Sequence, residues 1–107
     1  MRWMMMACAL ALSGVAAAED MPTYHLELKD GTLNPARLVV PAGQRFKLVV
    51  KNSGKSAAEF ESLPLRKEKV LAPGVESFVV FQGLSAGEYK FFDDFHPATA
   101  RGVIVVK

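Results

Sequence analysis

The chain has 107 residues, half of them apolar, with 22% charged residues, a formal net charge of +2, one cysteine and two histidines. That size bounds it to one domain, and a near-balanced charge without a basic block or acidic tail argues against nucleic acid and anionic membrane surfaces as partners. A lone cysteine rules out an internal disulfide framework, so a packed core must hold the domain.

Met1 to Ala18 carries Arg2, an apolar run from Met4 to Leu12, and small residues Ala16 and Ala18 ahead of Glu19. This is the anatomy of a secretory signal peptide, which predicts an exported mature protein with its domain at residues 19–107. A membrane span would need about twenty consecutive apolar residues. Cleavage would also remove Cys8 and four of the five methionines, leaving Met21 as the last sulfur.

After the leader, the residues read as short strands separated by turn signals. Tyr24 to Lys29 alternates apolar and polar, and Asp30-Gly31 ends it. Ala36 to Val40 stops at Pro41-Ala42-Gly43, and Phe46 to Val50 runs into Asn52-Ser53-Gly54-Lys55. Glu59 to Leu63 reads as a short strand or an extended loop, and Arg66 to Leu71 precedes the Ala72-Pro73-Gly74 turn. Val75 to Phe81 is strongly β-forming, a strand begins at Glu88, and Gly102 to Val106 closes the chain as a buried strand. Each apolar run is cut by Pro or Gly before a helical period can develop. Seven or eight short strands at this spacing predict an all-β, Greek-key β-sandwich.

Two stretches carry side chains that could hold a metal. Asp93, Asp94 and His96 lie in a polar loop pinned between the last two strands, which is the rigid support a ligand site needs. Glu59 and Glu61 are two apart, so in an extended backbone they share a side while Phe60 points to the core. Asp94 is expected to face away from Asp93. The alternative for the loop is a salt-bridged cap in which Arg101 pairs with Asp93 or Asp94. Hydrolytic chemistry lacks support: the mature chain has no cysteine, and no serine stands in a Gly-x-Ser-x-Gly context.

The order Tyr89, Phe91, His96, Gly102, Ile104 resembles the copper loop of cupredoxins, and turn by turn the resemblance covers nearly the whole mature chain. Asp93 stands where that family has its thiolate, and Ala100 or Arg101 near its axial methionine. The resemblance implies a cupredoxin-like sandwich in which the segment of Glu59 and Glu61 runs beside the loop, so that His96, Asp93 and Glu59, with Glu61 as a further donor, would form a metal site of one imidazole with two or three carboxylates. Such a set suits Cu(II) or iron better than Cu(I). Glu-Phe-Glu, then Ala-Pro-Gly, then Tyr-x-Phe and an acidic loop are similar to the periplasmic cupredoxin-like components of bacterial ferrous-iron uptake systems, the stand-alone FtrB type and the amino-terminal domain of EfeO. That likeness implies copper and iron as metals and assistance to Fe(II) oxidation. It also implies an inner-membrane iron permease and a periplasmic iron-binding protein as partners.

Overall fold

The structure is a computed structural model that describes residues 21–107. The expected signal peptide, residues 1–18, lies outside the described residues. Nine strands follow one another: β1 (Thr23–Lys29), β2 (Thr32–Asn34), β3 (Arg37–Val40), β4 (Phe46–Asn52), β5 (Ala58–Ser62), β6 (Lys67–Leu71), β7 (Glu76–Phe81), β8 (Gly87–Asp93) and β9 (Arg101–Val106). They form a four-stranded sheet, ordered β2-β1-β4-β7, and a five-stranded sheet, ordered β3-β9-β8-β5-β6. The all-β sandwich is as expected, and seven strands begin and end within about two residues of their predicted limits; β8 begins one residue before the expected Glu88 and runs on to Asp93, which the sequence places in the loop. The additional strand is β2, a three-residue return paired antiparallel to β1 across the Asp30-Gly31 turn.

The period of two in the sequence becomes two inner faces. Leu26 and Leu28 of β1, Phe46, Leu48 and Val50 of β4, and Val79 and Phe81 of β7 face Leu38, Val40, Phe60, Leu71, Phe91, Ile104 and Val106 of the second sheet. Aromatic pairs fill the middle: Phe46 stacks on Phe81 at 4.9 Å between centroids, and Phe60 meets Phe91 at 5.4 Å. Fully burying side chains of this kind contributes about 1.5–3 kcal/mol each, which lets the sandwich stand without a disulfide. Gly102 is required by this packing, because a Cβ there would lie 2.5 Å from the Phe91 ring and 2.7 Å from the Ala36 carbonyl oxygen.

Strand β5 matters most for the site. It pairs with β6 along its full length but with β8 only at Phe60–Asp93 and Glu61–Phe92. Beyond that point the buried Ser62 Oγ donates to the Lys90 carbonyl at 2.8 Å and replaces the missing ladder. Past Ser62 the chain leaves β8, which opens an outer groove lined by Leu63, Pro64, Lys90, Phe92 and Arg101. Ser62→Ala removes one hydrogen bond and leaves a carbonyl short of a donor. We expect a loss of about 1 kcal/mol in urea denaturation, with the fold retained.

Candidate metal centre

Asp93 ends β8 with its side chain wholly buried. An isolated carboxylate there would be costly, so its partners explain its presence. Oδ1 accepts the Glu59 N–H at 2.9 Å and the Phe95 N–H at 3.0 Å, and Oδ2 lies 2.9 Å from His96 Nδ1. The backbone closes the same loop, since His96 N donates to the Asp93 carbonyl at 2.9 Å and Ala100 N to the His96 carbonyl at 3.0 Å. With both Asp93 oxygens engaged, Nδ1 of His96 is the donor and Nε2 is left as the acceptor nitrogen.

The His96 ring rests against Gly31. That residue has φ +91°, and a Cβ there would sit 3.5 Å from the ring and 3.0 Å from Thr99 Oγ1. Only glycine meets both demands at low cost. Thr99 Oγ1 donates to the Gly31 carbonyl at 2.8 Å, tying the loop to the first hairpin. The neighbouring Asp30 is held below its usual carboxylate range by the Ser56 hydroxyl and then by the Lys55 and Ser56 N–H groups.

Alternation along the strands sends the other acids to the opposite side. Phe60 faces the core, so Glu59 and Glu61 face outward, and Asp94, one residue past the inward Asp93, joins them through a 2.9 Å bond from its N–H to the Glu59 carbonyl. Carboxylate oxygens of Glu59, Glu61 and Asp94 lie within 4.8 Å of one another. Glu59 is only 9% exposed. Loss of hydration, then the Glu68 carboxyl against it, then the charges of Glu68, Asp94 and Glu61 push its carboxyl up to about 7. Glu61 is also raised, first by desolvation and then by the Asp94 and Glu68 charges. Among the described residues the one ion pair is His96–Asp93, so no lysine or arginine neutralises this cluster. Lys69, paired with Phe60, shares its inward side, and Lys67 Nζ sits 6.0 Å over the Phe81 ring.

The expected donors therefore fall into two groups. Glu59 and Glu61 come together with Asp94, while Asp93 and His96 bind each other on the inner side of the same strands. Asp94 was legible as facing away from Asp93; that this turns it toward the two glutamates follows only once β5 is known to flank β8. Arg101 makes no ion pair with Asp93 or Asp94 among the described residues and lines the outer groove.

Comparison with known proteins agrees with this architecture. The family model described as "Cupredoxin-like domain" matches residues 2–106. An uncharacterized protein of Rickettsia prowazekii (strain Madrid E) is 33% identical over 81 residues, which are 76% of this chain and 65% of that protein. The chain thus spans a little under two thirds of that relative. Among solved structures, the dithionite-reduced auracyanin of Roseiflexus castenholzii is similar with a TM-score of 0.69 at 17% identity, covering 79% of this chain and 96% of that one. The metal-binding domain of the Cu(I)-exporting P-type ATPase CopA of Streptococcus pneumoniae D39 gives 0.69 at 11% identity, covering 79% and 84%. These likenesses carry the fold.

Proposed function

The chain belongs to the cupredoxin-like domain family, and on that premise we propose that it is a periplasmic metal-binding protein of a ferrous-iron uptake system, holding iron as cargo on its way to an inner-membrane permease. The observation that carries this reading is Glu59, nine-tenths buried in a group of carboxylates with which no cationic side chain forms an ion pair among the described residues. A fold bears such an arrangement at a cost, since like charges directly opposed across strands are destabilising and buried charge is more so. A bound cation removes both costs. Oxygen donors favour hard and borderline ions and let them leave again, which suits delivery to a permease or from a periplasmic iron-binding partner.

A resident copper ion held through sulfur does not fit these residues. The described residues contain no cysteine, and Met21 is the sole methionine among them. The position the family resemblance gives to the thiolate is taken by Asp93, whose two oxygens are occupied by protein donors. A second reading, a periplasmic carrier of Cu(II), is favoured by His96. A carboxylate on one ring nitrogen with the other nitrogen free is how metal-binding histidines are commonly oriented.

The two readings separate in equilibrium dialysis of the purified protein with Fe(II) under argon and with Cu(II) in air. We expect one iron per chain and at least about tenfold weaker binding in the Glu59→Gln, Glu61→Gln double variant, tenfold being about 1.4 kcal/mol. Loss of copper binding in His96→Ala, with iron binding absent from the parent protein, would favour the carrier. If neither metal is retained, the metal-binding reading fails altogether.

A further inference from the structure

We propose that the outer face of the five-stranded sheet, with the groove along β8 at its centre, is the docking surface for a second copy of this chain, in a two-fold dimer that sets the acidic half of each copy on the basic half of the other. One row of side chains runs straight across that face. The register puts Glu68 of β6 opposite Glu61 of β5, Glu61 opposite Phe92 of β8, and Phe92 opposite Arg101 of β9. All four point outward, because Phe60, Phe91 and Ile104 take the core side of their strands. With strands about 4.8 Å apart, the row spans about 14 Å from Glu68 to Arg101.

The charges on either side of the row keep to the same division. Asp94 joins the acidic half, and Lys90, diagonal to Arg101 across β8 and β9, joins the basic half. Neither Lys90 nor Arg101 makes an ion pair among the described residues, although both line the groove with the apolar side chains of Leu63 and Val103. Glu88 lies on the basic half two rows from Arg101, and Arg66 borders the acidic half; these too make no ion pair among the described residues. Apolar surface goes with the charge: Leu63 is 66% exposed, and Val70, on the same side of β6 as Glu68, is 60% exposed.

This order selects the partner. A wholly acidic partner would meet Lys90 and Arg101 but be repelled by Glu61, Glu68 and Asp94, and a wholly basic one would do the reverse. A second copy answers both halves at once. A two-fold axis running along the strands between β5 and β8 reverses the row, so that Arg101 of each copy meets Glu68 of the other copy in a self-complementary contact. Complementary potentials then fix the orientation, since any register that sets like charges together is rejected. The metal-free protein is the form concerned, because a cation on the carboxylates cancels the charge that attracts the second copy. The inference does not depend on the metal-binding reading.

Sedimentation velocity of the purified protein with a chelator present, over a range of concentrations at low and at high salt, tests the inference. We expect a dimer that dissociates as salt rises, because exposed charges are screened. Arg101→Glu and Glu68→Arg should each weaken self-association at least about tenfold, since each sets like charges against one another at both contacts. Mixing the two variants should restore association, because the mixed dimer carries an opposite pair at both contacts, and the restored dimer also shows that each variant is folded. The chain carrying both substitutions should dimerise by itself for the same reason. A parent protein that stays monomeric at low salt up to about 1 mM would overturn the inference. So would a dimer indifferent to salt and to both reversals, or a mixture that fails to associate while circular dichroism shows each variant folded. Each of these results leaves the metal-binding reading standing, because no metal takes part.

Discussion

Asp93→Ala should destabilise the protein by about 3–4 kcal/mol, because it strands one buried and two part-buried donors at once, a buried one costing about 1–3 kcal/mol when left unpaired and the others toward the low end of that range. The Glu59 and Phe95 N–H groups lose Oδ1, and His96 Nδ1 loses Oδ2. Against a typical total of about 5–15 kcal/mol, this is enough to leave a measurable unfolded fraction near physiological temperature. Asp93→Asn separates charge from shape. Its amide oxygen can still accept both N–H groups, while its NH₂ faces His96 and requires the other tautomer, so the loss should be about 1 kcal/mol. Urea titrations followed by circular dichroism give both numbers. Iron affinity of the Asn variant then decides what Asp93 does for the site. Unchanged affinity in a folded variant identifies it as the support that fixes the loop and β5, whereas a large loss with the fold intact identifies it as a donor itself.

The sandwich was legible because its signals are local. Alternation in Tyr24 to Lys29, the breaks at Pro41-Ala42-Gly43 and Ala72-Pro73-Gly74, and the β-branched run to Val106 each fix an element without reference to any other. Strand β2 was not legible, since Thr32–Asn34 has too few residues to show a period and exists through its pairing with β1. The site was legible in composition and not in grouping. That Glu59 and Glu61 share a side follows from the strand period alone. Their proximity to Asp94, and the opposition of Glu61 and Glu68, depend on which strands are neighbours and in what register. Glu68 between two lysines reads as an ordinary surface acid. Only the pleat, which turns Lys67 and Lys69 to the other side, leaves its carboxylate without an ion pair among the described residues.

The same imbalance predicts how stability varies with pH. Glu59 has a carboxyl raised from its usual 4.5 to about 7 in the folded protein, so between those values the folded state binds a proton that the unfolded chain has already released. Stability from this group is therefore fully present below about pH 4.5 and is lost as pH rises through about 7. A shift of one unit corresponds to about 1.4 kcal/mol, and with water reaching Glu61 and Asp94 beside it the net loss should be about 1–2 kcal/mol. The Asp30 carboxyl, lowered by the Ser56 contacts, acts oppositely: its contribution is lost only as pH falls through its depressed value, outside this window. Thermal unfolding of the metal-free protein from pH 5 to pH 8 should accordingly show a falling melting temperature. Glu59→Gln, which mimics the protonated form, should flatten that profile and melt higher than the parent at pH 8. Adding a hard cation at pH 8 should then raise the melting point of the parent and leave the variant where it was, because in the parent the ion takes over the role that the proton plays at low pH. A parent protein whose melting point is level across the range, or a variant stabilised by the cation as much as the parent, would mean that Glu59 is already compensated by the protein and has no need of a metal.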